Sequence, residues 1–169
     1  MQLDHVQFGG QEDRIHPPIA DITDVLSFRV ARFNRLIERM GGTNFQSRLG
    51  ITLNEWRVIG ITEALGAATV SQVRKMLVMD KGQMSRIARG LVARGLIVSR
   101  PSSGDRRVMA LALTEAGRKI HAQVLAEAAH RNERLSGCFS ADECSEFLRL
   151  LDKLTEHTLK RAEAEGIAP

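Results

Sequence analysis

The sequence has no tyrosine, and aromatic residues make up only 4% of its 169 positions. A lectin-like or aromatic-cage binding surface is therefore not expected, and neither is stacking of unpaired bases. Two cysteines, Cys138 and Cys144, cannot staple a disulfide-rich secreted scaffold, and none precedes them. No apolar run reaches the ~18 residues of a membrane span. Residues 1–18 have no apolar core behind a positive start, so they do not read as a signal peptide. A chain without these marks is expected in the cytoplasm. The histidines (His5, His16, His121, His130, His157) form no close H-x-x-x-H or Cys/His cluster, so neither a metal nor another cofactor is expected. No G-x-S-x-G, P-loop or G-x-G-x-x-G occurs, and nothing points to an enzyme.

What is present is a hydrophobic content of 43%, which excludes disorder by composition, a length that suits one ordinary domain or one domain with an added oligomerisation element, and an uneven distribution of charge. The whole chain carries only +4. Residues 70–119, however, hold 11 basic and 3 acidic residues, a net +8, against 13 basic and 17 acidic elsewhere, a net −4. A basic middle between acidic ends suggests a polyanion-binding module carried on something else. A solvated charged face is the competing reading.

Punctuation and periodicity divide the chain. Residues 1–18 look like an arm, broken by Gly9-Gly10 and Pro17-Pro18. Ile22, Leu26, Val30, Phe33, Ile37 and Met40 then recur at helical spacing, with Gly41-Gly42 expected to end that helix. Arg29, Arg32, Arg35 and Arg39 between them read as its solvated flank. Thr52-Leu53-Asn54-Glu55 is a capping box, with Ile51 and Trp56 placed as a hydrophobic staple, and its helix runs to Gly66. Ser71 is the expected cap of a short helix to about Val78, with Val73, Met76 and Leu77 on its apolar face. Asp80 caps the next, from Lys81 to about Arg94, closed by Gly95, with Met84, Ile87, Ala88 and Leu91 facing the core.

Two short helices around a tight turn resemble a helix-turn-helix. The period then changes to alternation. Leu96 to Arg100 is one short strand, and Val108 to Leu113 another, with Met109, Leu111 and Leu113 expected on one face. The Pro/Ser/Gly/Asp turn between them is followed by Arg106-Arg107, which makes a basic-tipped hairpin, the winged-helix arrangement. Thr114 caps a long helix that Gly137 breaks, and Ser140-Ala141-Asp142-Glu143 is a second capping box. The helix behind it has Cys144, Phe147, Leu148, Leu151, Leu154 and Thr158 on its apolar side.

This order of elements resembles the MarR family of multiple antibiotic resistance regulators. Asp80-Lys81-Gly82-Gln83-Met84-Ser85-Arg86 through Leu91, then Arg94-Gly95-Leu96-Ile97, is similar to the family's recognition helix and its R/K-G-L-I exit. Ser102-Ser103-Gly104-Asp105-Arg106-Arg107, then Leu113-Thr114-Glu115-Ala116-Gly117, is similar to its wing, with the D-x-R and L-T-x-x-G signatures. Ile51-Thr52-Leu53 with Trp56-Arg57-Val58 resembles its second helix, and the likeness covers about residues 20–160. The longer residues 1–18 are not explained by it.

The fold class expected is mainly α with a small β-hairpin wing: a winged helix-turn-helix DNA-binding region at 46–114 plus a helical dimerisation region. The helices at 19–45 and 115–165 would form that region, after the arm at 1–18. The function expected is sequence-specific binding of double-stranded DNA by a homodimer on a palindromic operator. On the helix from Lys81, the outward Gln83 and Arg86 suit base edges in the major groove, and the outward Arg89 suits a base or a phosphate. Arg74, Lys75, Lys81 and Ser85 suit phosphates, which position without specifying. Arg106 and Arg107 suit a narrow minor groove. The resemblance implies that Arg107 enters the groove while Asp105 holds its guanidinium. It also implies repression, relieved by a small aromatic effector where the DNA-binding and dimerisation parts meet, with Phe33, Met40, Trp56, Arg57 and Ile59 as candidate contacts. Trp56 and Ile59 are equally suited to plain core. The competing functions are a winged helix that binds a protein partner and a thiol-based redox sensor using Cys138 or Cys144.

Overall fold

The computed structural model describes residues 18–101 and 108–167, with the backbone alone at 41–45 and 48. The arm lies almost wholly outside this range. Two compact units are distinguished, one ending at Thr43 and the other beginning at Asn44.

In the first unit a 3-10 turn, Ile22–Asp24, leads into the long helix α1, Leu26–Leu49, most of which belongs here. Asp21 caps the turn, accepting from the Thr23 amide at 2.6 Å, while the Ala20 and Asp21 amides donate to Asp24. Hydrogen bonds from Thr23 hold the Asp21 carboxyl below the usual carboxylate range, and the Ala20 amide does the same for Asp24. Leu26, Val30, Phe33, Leu36 and Met40 are all exposed on α1, Met40 by 76%. The expected stop at Gly41-Gly42 is corrected: the helix runs through both glycines to Leu49. A glycine inside a helix costs ~1 kcal/mol against alanine but keeps its N–H donor, so the ladder weakens without breaking. The chain turns instead at Gly50, whose φ of +64° is left-handed and whose N–H donates to Gln46.

The second unit is built around α2 (Leu53–Ala64), β1 (Ala68–Thr69), α3 (Val70–Met76), α4 (Lys81–Ala93), β2 (Ile97–Pro101), β3 (Met109–Leu113), α5 (Glu115–Ser136) and α6 (Ala141–Ala164). Its core joins Ile51, Val58 and Ile59 at and on α2 with Val73, Met84, Leu91, Ile97, Leu111 and Val124 from the elements around it. Each such side chain contributes about 1.5–3 kcal/mol through burial. The Thr52–Glu55 capping box is formed, with Ile51 buried and Trp56 packed against the core. The Ser140–Glu143 box is also formed, and its hydrogen bonds hold the Glu143 carboxyl below its ordinary range. No described residue of α6 is buried.

Three local expectations are corrected. The hairpin is part of a three-stranded antiparallel sheet in the order β1-β3-β2, because Ala68 and Thr69 pair with Leu111 and Ala110. Two residues give too short a strand to show alternation. The cap of α3 is Thr69, not Ser71: Thr69 accepts from the Gln72 amide and Gln72 returns the bond, a capping box two residues earlier. Met76 and Met109 are exposed by 63% and 45% and do not face the core. On α3 the core side is set by Val70, Val73 and Leu77, and Met76 lies about 90° away from their mean direction. Met109 pairs with Pro101 at the outer end of the hairpin, beyond the reach of the core that buries Ala110, Leu111 and Leu113.

Candidate nucleic-acid interface

The turn between α3 and α4 determines how α4 is presented. Leu77 ends α3, and the next two amides turn back into it: Val78 donates to the Lys75 carbonyl and Met79 to the Arg74 carbonyl, each at 3.1 Å. This is the Schellman closure, which needs a left-handed residue at its second position. That residue is Val78, with φ 49°, an uncommon conformation for a β-branched side chain. Met79 is buried beneath the turn while Val78 is exposed. Val78→Gly removes the steric strain and little burial, and should stabilise the fold by about 0.5–1 kcal/mol after the entropy cost of glycine. An unchanged or lower thermal midpoint would contradict strain at this turn.

Asp80 then caps α4, accepting from the Gln83 amide at 2.8 Å. Met84, Ala88 and Leu91 are buried along one side, and Ile87 packs beside them. The other side therefore faces out. Lys81, Ser85, Arg86 and Arg89 are exposed there, and Gln83 is half-buried at the margin. Arg86, Arg89 and Gly82 point within about 60° of one another by helical geometry. Beside Gly90 no atom lies within 4 Å of where a Cβ would stand, so that part of the face is open.

Charged side chains in this region differ in what they already do. Arg89 Nε donates to the Ser85 carbonyl at 3.3 Å, and Arg74 donates across the turn to the Met79 carbonyl at 3.3 Å. Arg94 donates to Glu55 and to the Gly50 carbonyl, and Arg118 to the Leu113 carbonyl. Lys75 stands exposed in the last turn of α3. Arg100, exposed on β2, is a further cation beside the wing that the sequence reading left out of its contact set. Asp105, Arg106 and Arg107 lie outside the described residues. Among the described residues no group of three or more His, Cys, Asp or Glu is placed to hold a metal ion.

Behind α4, the wing is tied to α5. Thr114 caps α5 by accepting from the Gly117 amide at 3.0 Å, and its hydroxyl faces the Gly95 carbonyl at 2.7 Å. The Thr114 amide donates to the Leu96 carbonyl. A Cβ at Gly117 would overlap that carbonyl, which explains why L-T-x-x-G needs its glycine here.

The candidate effector contacts are drawn from both units. Ile59 is fully buried in the core, while Trp56 and Arg57 are half-buried on α2, with Arg57 donating to Asn54 at 3.0 Å. Phe33 and Met40 are exposed on α1.

A helix-turn-helix, an outward basic helix and a three-stranded wing coincide with a model of the MarR family that matches residues 49–108. The multiple antibiotic resistance protein MarR of Salmonella typhimurium is 28% identical over 112 residues, covering 66% of this chain and 78% of that protein. The crystal structure of a MarR/EmrR family transcriptional regulator from Acinetobacter sp. ADP1 superposes with a TM-score of 0.71 at 26% identity, covering 79% of this chain and 96% of the other. Over these residues the chain is similar to the MarR family. The family that it resembles consists of transcriptional regulators, which are not enzymes. A cysteine-to-serine mutant of E. coli MarR, solved in complex with operator DNA, has the same fold: TM-score 0.62, 23% identity, covering 75% of this chain and 93% of that one. The matched segment begins at the end of α1 and finishes just before β3, so it spans the helix-turn-helix and the first strand of the hairpin, β2.

Proposed function

We propose that the chain binds double-stranded DNA sequence-specifically as a homodimer in the cytoplasm, with α4 in the major groove and the wing over the neighbouring minor groove. The observation that carries the reading is the exposed face of α4, where Arg86 and Arg89 stand out from a buried Met84–Ala88–Leu91 seam. Gln83 and Arg86 read base edges, Lys75, Lys81, Ser85 and Arg74 face phosphates, and Asp105, Arg106 and Arg107 serve the wing. Residues 46–114 act as the reader, and the helices at 19–45 and 115–165 join two copies. Exposed Leu, Phe and Met side chains on α1, α5 and α6 support the second part, because apolar faces of this extent are seldom left in water. Two-fold symmetry calls for a palindromic operator with half-sites about one helical turn apart. The regulator represses from that site until a small aromatic effector contacts Phe33, Met40, Trp56, Arg57 and Ile59 and lowers the population of the DNA-competent state.

Selection of bound duplexes from random DNA, repeated with aromatic acids, tests this directly. A palindromic consensus is expected, with affinity falling steeply as salt rises, and with twice the monomer mass by light scattering. Weak, salt-insensitive retention on DNA resin would favour a protein partner instead, and a monomer would remove the palindrome.

A further inference from the structure

The basic segment contains one arginine whose role differs from its neighbours'. Arg94 sits at the C-cap of α4, at the head of the R-G-L-I sequence. Its Nη1 donates to Glu55 Oε1 at 2.9 Å, and its Nη2 donates to the Gly50 carbonyl at 2.8 Å. The partners are 39 and 44 residues away along the chain. By contrast, the pairs Lys119–Glu115, Arg131–Glu127, Arg149–Glu146 and Arg161–Glu165 each join neighbours on one helix. The Glu55 side chain is only 18% exposed and the Arg94 side chain 39%, so water screens this pair less than an ordinary surface pair.

Geometry concentrates three chain ends on this guanidinium. Glu55 is the third residue of α2, and its other oxygen, Oε2, accepts from the Thr52 amide in the capping box. Gly50 is the left-handed residue that ends α1. Beneath Arg94, Gly95 and Leu96 turn the chain out of α4: the Leu96 amide donates to the Leu91 carbonyl, and both leucine side chains are buried. A planar fork that donates in two directions holds all three at once; a lysine ammonium is a point charge without that shape.

We propose that Arg94 is a positioning residue for the recognition helix rather than a DNA contact. It locks the exit of α4 to the start of α2 and to the turn after α1, and so fixes the angle at which Arg86 and Gln83 meet base edges. The inference rests on the DNA-binding reading above. Its consequence is that losing the lock costs discrimination between sequences more than it costs attraction to DNA, because phosphate contacts tolerate a small rotation and bidentate base contacts do not.

The test uses the full-length protein and the duplex that the wild type selects from random DNA, with a scrambled duplex of equal length as reference. Glu55→Gln keeps an acceptor for the capping box, which takes either residue, and removes the ion pair. Arg94→Lys keeps the charge and removes the fork. Arg94→Ala removes both. The lock predicts that all three variants lose about tenfold of the selected-to-scrambled affinity ratio, the range of one bidentate contact, while the slope of affinity against salt stays as in the wild type. A direct phosphate contact gives the opposite pattern. There, Arg94→Ala lowers the salt slope, Arg94→Lys is neutral, and Glu55→Gln leaves binding unchanged or improves it by freeing the guanidinium; that result overturns the proposal. Variants with an unaltered ratio and slope also overturn it, with DNA binding itself intact. A wild type that selects no duplex overturns the DNA-binding reading and this proposal with it. Thermal midpoints measured alongside separate a lost lock from a lost fold, since Glu55→Gln and Arg94→Lys leave the core untouched.

Discussion

Gly117→Ala is expected to destabilise the protein by about 2–3 kcal/mol, although alanine is the better helix former by ~1 kcal/mol. Gly117 is buried in the first turn of α5, and the added Cβ would overlap the Leu96 carbonyl oxygen, with the Leu113 side chain 3.3 Å away. A flexible side chain would swing aside, but the obstacle here is backbone. The Leu96 carbonyl is held by the Thr114 amide, and Leu96 also closes the exit of α4. Relief therefore requires either α5 or the base of the wing to move, and both carry core residues, Val124 and Ile97. Gly90→Ala is the control: its Cβ meets nothing within 4 Å, so it should raise stability by about 1 kcal/mol. Urea unfolding midpoints for the two variants should move in opposite directions. Equal shifts would mean that α5 does not press on the Leu96 carbonyl.

Features legible in the sequence are those whose cause lies within three or four residues. The capping boxes at Thr52–Glu55 and Ser140–Glu143, and the caps Asp80 and Thr114, follow from a side chain reaching an amide three positions on. Thr69-Val70-Ser71-Gln72 carries the same T-x-x-Q pattern, and the structure uses it, so the correct start of α3 was within reach of the same rule. The continuation of α1 past Gly41-Gly42 was not, because propensity weighs glycine against a helix without weighing the residues that follow. Long-range features left no trace. The pairing of Ala68 with Leu111 joins positions 43 apart, and nothing in Glu55 or Arg94 names the other. The candidate site divides in the same way. The helical spacing of Met84, Ile87, Ala88 and Leu91 placed Arg86 and Arg89 outward from the sequence alone, whereas charge counting treated Arg94 and Arg118 as equivalent to them. Their guanidiniums are occupied by carbonyls and a carboxylate, so the excess of basic residues overstates the number available to a polyanion.

Arg86→Ala is expected to have the largest effect on recognition. Arg86 is exposed on the outward face of α4, two residues beyond the buried Met84, and it makes no ion pair among the described residues. It can therefore offer its whole planar fork to a guanine edge without first breaking a bond, unlike Arg94. Truncation should lower affinity for the selected duplex by about 1–3 kcal/mol, some tenfold to a hundredfold, and relax preference at one base pair in each half-site. Lys81→Ala should instead weaken binding to selected and scrambled duplexes alike and reduce the salt slope by about one. The fold should be indifferent to both, because neither side chain enters the core. Repeating the selection with the Arg86→Ala protein makes the assignment specific. A consensus that loses information at a single symmetric pair of positions places Arg86 on a base edge, and a consensus unchanged at every position removes it from the reading head.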